Sequence, residues 1–193
     1  MNSYEVVLEE FDGVNIKTLI IDDGGSYFNI VDSLILFLEQ GDTNIVGFDT
    51  EWSCTCDTLK ISATKIILLK LCNSACLIRR LDVDSLEERI YEIFKFLYNK
   101  DILFAGVHIH KDLQKLHEQY GFEVRNLLDL SELSAQVLHQ PLLKLHGVRE
   151  LANKVLSKNL QPRQWINIIG DSVYDYFEDC TRGQIECATV DAY

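Results

Sequence analysis

Ile45-Val46-Gly47-Phe48-Asp49-Thr50-Glu51-Trp52 begins as a buried strand and ends on a pair of acids. The run from Ile45 to Phe48 is short and apolar. In an extended chain, residues two apart point to the same face, so the Asp49 and Glu51 carboxylates project side by side. Like charges so placed repel unless a cation sits between them. A hard divalent ion such as Mg²⁺ suits oxygen donors of this kind. The other reading is a strand end entering solvent, where acids cost little. The eight residues alone do not choose between the two.

On the N-terminal side, residues 4–11 and 14–21 are β-like runs around the turn signal Asp12-Gly13, which predicts a hairpin. Residues 28–39 carry a broad helical stripe ending near Gly41. On the C-terminal side, residues 54–64 are polar and mixed and predict a loop. Residues 65–72 and 76–81 flank Asn73-Ser74 and predict an antiparallel pair beside the acidic strand. Residues 85–98 read as an amphipathic helix, with acids at its start suited to the positive end of the helix dipole. Residues 102–107 predict a second buried strand. Asp112 follows it near the start of a helix that Gly121 would cap. A strand at 124–130, a helix at 131–138 with Ser131 as N-cap and a helix at 148–156 come next. Residues 162–171 read as irregular, the acidic run 171–179 as surface, and residues 180–193 as a terminal helix. Strand pairs followed by strand–helix alternation indicate an α/β domain with a mixed sheet. No repeat or linker interrupts the 193 residues, so a single domain over 1–193 is expected.

Composition narrows the function classes. Hydrophobic residues make up 47% of the chain, an ordinary globular value, and the formal charge is −12, from 18 basic and 30 acidic side chains. A surface of that sign repels duplex phosphate and argues against non-specific coating of DNA. It leaves room for a nucleic-acid enzyme whose positive charge is local or carried by metal ions. No secretory signal or membrane-spanning run is visible, so an intracellular setting, cytoplasm or nucleus, is expected. The six cysteines then read as reduced thiols, and the Cys54/Cys56 and Cys72/Cys76 spacings miss the usual zinc pattern. Lys65, Lys70, Arg79 and Arg80 are the best basic set, and read equally as phosphate binders or as a solvated face. Of His108 and His110, one is expected to face a groove and the other solvent. His117, His139 and His146 read as surface or capping residues.

Four acids fall where strands end or helices begin: Asp49, Glu51, Asp112 and Asp191. Converging carboxylates of this number hold two Mg²⁺ ions about 4 Å apart in phosphodiester hydrolysis. Their contexts carry a resemblance. Phe48-Asp49-Thr50-Glu51-Trp52, the segment from Phe104 to Leu113 and the segment from Ile185 to Tyr193 resemble, in order, the three motifs of the DEDD 3′–5′ exonuclease superfamily. Arg125-Asn126-Leu127-Leu128-Asp129-Leu130 and Arg149-Glu150-Leu151-Ala152 fit between them. Within the superfamily the chain is similar to plant Werner-syndrome-like exonucleases, among them the short RISC-interacting clearing exoribonucleases.

The resemblance implies an RNase H-like (DnaQ-like) fold, a five-stranded mixed sheet flanked by helices. It implies that Asp49, Glu51 and Asp191 hold the Mg²⁺ or Mn²⁺ that activates water, and that Asp49 and Asp112 hold a second ion. Trp52 and His108 would contact the substrate, the 3′ end of single-stranded RNA or DNA, with RNA favoured. A homo-oligomer is implied, ring-shaped as in the short plant members, together with a protein partner from RNA silencing and no membrane. One position departs from the pattern. Cys187 stands where one branch of the superfamily has the tyrosine that orients the attacking water. A thiol is shorter than a phenol and a weak donor. The alternative is therefore a weak or inactive pseudo-exonuclease that binds 3′ ends or a protein. The terminal helix, with Asp191 near its end, is expected to fray.

Overall fold

A computed structural model describes residues 2–8, 11, 13–21, 43–57, 60–73, 75–80, 90–160 and 182–193. Among these, seven strands form one mixed sheet: β1 (Asn2–Leu8), β2 (Val14–Ile21), β3 (Ile45–Asp57), β4 (Lys60–Cys72), β5 (Ala75–Arg80), β6 (Leu103–Gly106) and β7 (Leu127–Asp129). The spatial order is β1-β2-β5-β4-β3-β6-β7. β3, β4 and β5 are an antiparallel meander, and β6 and β7 add parallel to β3. These five strands are the RNase H-like core. The predicted hairpin of β1 and β2 extends it to seven, with β2 parallel to β5.

The helices are α1 (Ile90–Leu97), α2 (Ile109–Tyr120), α3 (Leu130–Val137), α4 (Val148–Leu156) and α5 (Arg182–Ala192), with a 3₁₀ turn at Pro141–Leu145. Strand alternation sends the two sides of β3 and β4 to different cores. Val46, Phe48, Leu69 and Leu71 pack with Phe96 and Leu97 of α1 and Ile109 and Leu116 of α2. Phe104 is central there, edge-on to Phe96 at 5.7 Å and to Phe48 at 6.2 Å. On the opposite face Cys72, Cys76, Ile16, Ile20 and Ile78 pack with Ile185, Ala188 and Ala192 of α5. A third cluster, Ala135, Leu143 and Leu151, ties α3, the 3₁₀ turn and α4 together.

Several expectations are corrected. Residues 54–64 are not a loop: β3 runs on to Asp57 and β4 starts at Lys60, with register shifts at Glu51/Trp52 and Ser53/Cys54. The ladder satisfies backbone groups, so polar side chains do not end it. The strand predicted at 124–130 is only Leu127–Asp129. Asp129, rather than Ser131, caps α3, because its carboxylate accepts the Ser131 and Glu132 N–H groups of the first turn. The 3₁₀ turn was not foreseen. Gly121 closes α2 as expected, at φ 71 with its N–H on the His117 carbonyl. The helix predicted at 28–39, the start of the helix predicted at 85–98, the 162–171 segment and the acidic run 171–179 lie outside the described residues. Among the described residues no helix is long and apolar enough to cross a membrane.

Candidate active site

The site begins with the cross-strand pair Asp49 and Lys70 in the β3–β4 register. Directly opposed residues share a face, so Asp49, Glu51 and Lys70 all point toward α5. Thr189 and Asp191 approach from that helix. The Thr18 and Thr189 hydroxyls hydrogen-bond at 2.8 Å in the core, and Tyr193 packs edge-on against Phe11 at 5.2 Å. α5 comes close because residue 47 is glycine. A Cβ there would overlap the Ala192 carbonyl. α5 is thus held by contacts on both sides of Asp191.

Asp49, Glu51 and Asp191 each place one carboxylate oxygen within 4.8 Å of the others. Three hard oxygen donors at such spacing fit a Mg²⁺ or Mn²⁺ ion. Within the trio lies the Lys70 ammonium, donating to Asp49 Oδ2 at 2.8 Å and Glu51 Oε1 at 2.6 Å, with Asp191 Oδ2 at 3.6 Å. Arg149 Nη1 is 2.9 Å from the other oxygen, Asp191 Oδ1. Burial alone would lower the Lys70 pKa. The charges of Asp49, Glu51 and Asp191 outweigh it and hold the ammonium above the usual lysine range. Asp49 is pushed upward, by burial first and by Glu51 and Asp191, against the opposing pull of Lys70.

Asp112, on the first turn of α2, stays outside the trio. It meets the site from the other side of β3, where the Thr50 side chain hydrogen-bonds to it. Burial and the nearby Asp49 charge push its carboxyl to about 7, against the opposing effects of the Thr50 bond and Lys70.

A cleft opens beside the acids, lined by Asp49, Asp191, Arg149, His108, Val107 and Gly147. His108 sits in a left-handed turn at φ 58, its N–H donates to Asp129 Oδ1 at 3.4 Å, and its Nε2 lies 3.0 Å from the Lys144 carbonyl. His110 is exposed, so the two histidines divide as expected. His146 pairs with Glu150 at 3.0 Å across one turn of α4 and lowers the Glu150 pKa. Cys187 is half-buried one turn before Asp191 and does not line the cleft. The side chains of Trp52, Lys65, Arg79 and Arg80 lie outside the described residues. Cys72 and Cys76 face each other across β4 and β5 as buried free thiols.

Lys70 and Arg149 were missed as site residues. The sequence reads Lys70 as one of a basic set that binds phosphate or faces solvent; the structure buries it at 0% exposure and binds it to the acids. The signal for it was present: one lysine interrupts the apolar run 66–72 of a strand expected to lie inside the sheet. Arg149 opens the segment Arg149-Glu150-Leu151-Ala152 that fits between the family motifs, but nothing in it points to Asp191.

A family model described as 3′–5′ exonuclease matches residues 30–168, more than half of the chain. The chain belongs to the 3′–5′ exonuclease family. The family match contains Asp49, Glu51 and Asp112 and stops before Asp191, which the fold delivers through α5. A curated relative, the protein RISC-interacting clearing 3′–5′ exoribonuclease 1 of Arabidopsis thaliana, is 31% identical over 123 residues, 63% of this chain and 55% of the relative. The chain thus spans about half the length of that exonuclease. Among solved structures, the Nibbler exonuclease domain of Aedes aegypti aligns over 100% of this chain and 86% of its own, at a TM-score of 0.65 and 15% identity. A manganese-soaked EXD2 exonuclease domain covers 91% of this chain and 83% of its own, at a TM-score of 0.52 and 24% identity. At these identities the likeness is one of exonuclease fold.

Proposed function

We propose that this chain is a metal-dependent 3′–5′ exonuclease that removes nucleotides from the 3′ end of single-stranded nucleic acid, RNA in preference to DNA. The observation that carries the reading is the convergence of Asp49, Glu51 and Asp191 within 4.8 Å beside an open cleft. Membership in the exonuclease family supports the reaction. The name of the Arabidopsis relative, an exoribonuclease, supports RNA, and its description as RISC-interacting supports an RNA-silencing partner.

Asp49, Glu51 and Asp191 would hold one Mg²⁺ or Mn²⁺, and Asp49 with Asp112 a second. Bound there, divalent ions supply an acidified water and neutralise charge on the reacting phosphate. The chain's own residues do the positioning. β3 fixes Asp49 and Glu51 side by side, and α5 brings Asp191 to them. Arg149 presents a guanidinium at the cleft, a geometry suited to phosphate oxygens. His108, held by Asp129 and the Lys144 carbonyl, forms part of the cleft wall as a substrate contact. Trp52 completes the substrate set in this proposal, and Cys187 takes the water-orienting position. Degradation of a 3′-labelled single-stranded RNA in Mg²⁺ or Mn²⁺ tests the reading, with Asp49→Ala as control. Equal product from the two proteins would sink it.

A second reading, a 3′-end-binding protein without turnover, is favoured by the ammonium of Lys70 already lodged among the acids. Retention of RNA in EDTA, with no cleavage in Mg²⁺, would select it.

The proposal extends to the whole molecule as one exonuclease domain over 1–193 in a reducing intracellular compartment, cytoplasm or nucleus. The paired free thiols of Cys72 and Cys76 support that setting. It also extends to a homo-oligomer. Val137, Leu142, Leu145 and Leu156, on α3, the 3₁₀ turn and α4, are exposed apolar side chains that support it.

A further inference from the structure

Lys70 is the most fully enclosed charge among the described residues, and it is enclosed by the acids that define the site. A buried ammonium persists only where its partners replace lost water. Asp49 and Glu51 do so at 2.8 and 2.6 Å, and Asp191 stands behind them at 3.6 Å. Arg149 closes the far side of Asp191 at 2.9 Å. Two single positive charges offset the three carboxylates as far as one divalent ion does. They also use the same oxygens: one ammonium touches an oxygen of each member of the cluster to which a metal would bind.

A divalent ion and the ammonium are like charges and cannot share so small a space in a low-dielectric interior. Lys70 is fixed by its backbone inside the sheet, between Leu69 and Leu71 of the opposite core. It does not swing freely into solvent as a surface lysine does, so it gives up the acids' oxygens only when another cation takes them. We propose that Lys70 is a built-in counter-cation at the first metal position, and that Mg²⁺ or Mn²⁺ enters between Asp49, Glu51 and Asp191 only by exchange with its ammonium. This rests on the reading of the three acids as metal ligands. The consequences are a metal-free chain whose acids are already largely neutralised, two positive charges against three carboxylates, and a site that loads only at high metal concentration.

The test uses the full chain without nucleic acid, so its outcome is independent of turnover. Mn²⁺ binding is measured by electron paramagnetic resonance for the wild type and for Lys70→Met, which keeps the apolar stem of the side chain and removes its terminal ammonium. The expected result is Mn²⁺ affinity at least roughly tenfold higher in Lys70→Met, the scale of a coupling of modest size. EDTA is expected to leave the melting temperature of the wild type unchanged and to lower that of the variant, with Mn²⁺ restoring it. Equal Mn²⁺ affinity in the two proteins, or no binding to the acids in either, overturns the proposal. A second measurement needs no variant. In lysine-labelled wild type, the ¹⁵Nζ signal of Lys70 is followed while diamagnetic Mg²⁺ is added. Exchange predicts a saturable shift, and saturation of the acids by Mg²⁺ with that signal unmoved overturns the proposal. Equal Mn²⁺ affinity in the two proteins, or an unmoved Lys70 signal, would leave the exonuclease reading intact; no binding to the acids in either protein would count against both; absent hydrolysis would leave the exchange intact.

Discussion

Asp112 shows how burial and a neighbouring acid change one carboxyl group. Its pKa rises from 3.8 to about 7, chiefly by burial and then by the charge of Asp49. A raised acid pKa means that the folded chain binds the proton more tightly than the unfolded one. Stability from this group is therefore lost as pH rises between about 4 and about 7. In EDTA, Asp112→Asn should remove that loss, so its melting temperature stays higher than that of the wild type at about pH 8. The difference should be on the order of 1–2 kcal/mol, allowing for partial exposure. Parallel melting curves for the two proteins across that range would show that Asp112 is not so perturbed. Cys187 poses a different question at the same scale. Its thiol lies one turn before Asp191 and is a weak donor. If it stands where a water-orienting hydroxyl belongs, Cys187→Tyr should raise the hydrolysis rate, by up to roughly 10²-fold as for other single donors. An unchanged single-turnover rate would remove Cys187 from the water-positioning role.

At the scale of elements, the site depends on how closely α5 lies against β3. Gly47 sits two residues before Asp49, and its missing side chain makes room for the Ala192 carbonyl at the end of α5. Backbone, unlike a flexible side chain, cannot swing aside. Gly47→Ala should push the end of α5 off the sheet and cost about 1–3 kcal/mol or more, the usual scale of overpacking. Because Asp191 travels with that end, the variant should also lose metal binding. Urea unfolding and Mn²⁺ titration together check this, and a variant with native stability and native Mn²⁺ affinity would show that the close approach is dispensable. Asp129 works similarly between elements. Its one carboxylate caps α3 and also accepts the His108 N–H, so the helix cap and the cleft wall are held by one group.

At the scale of the whole molecule, what was legible in the sequence was what repeats locally. Alternation along Ile45 to Glu51 placed two carboxylates on one face, and the hairpin, α2 with its Gly121 cap, and α4 were each readable from their own residues. What was not legible depended on partners distant in sequence. Lys70 reads as a phosphate binder or a solvated cation until the register puts it opposite Asp49, and the role of Arg149 shows only when its guanidinium meets Asp191. The length of β3 and β4 also escaped, because paired backbone extends a ladder that polar side chains seem to forbid. The exposed side chains raise the remaining question at this scale. Leu142 and Leu145 are 71% and 77% exposed on the 3₁₀ turn, and Val137 and Leu156 are 64% and 56% exposed on α3 and α4. The turn is anchored from beneath by Leu143, packed with Ala135 and Leu151, so its two outward leucines are presented on a supported surface. Exposed apolar side chains lose water when a second copy covers them. A Leu142→Asp/Leu145→Asp double variant places two charges there without touching Leu143 or the acids of the site. In light scattering after size exclusion it should elute as a monomer, while the wild type elutes as an oligomer, and its melting temperature extrapolated to low protein concentration should match that of the wild type. Identical masses for the two proteins would mean that this face is not where copies of the chain meet.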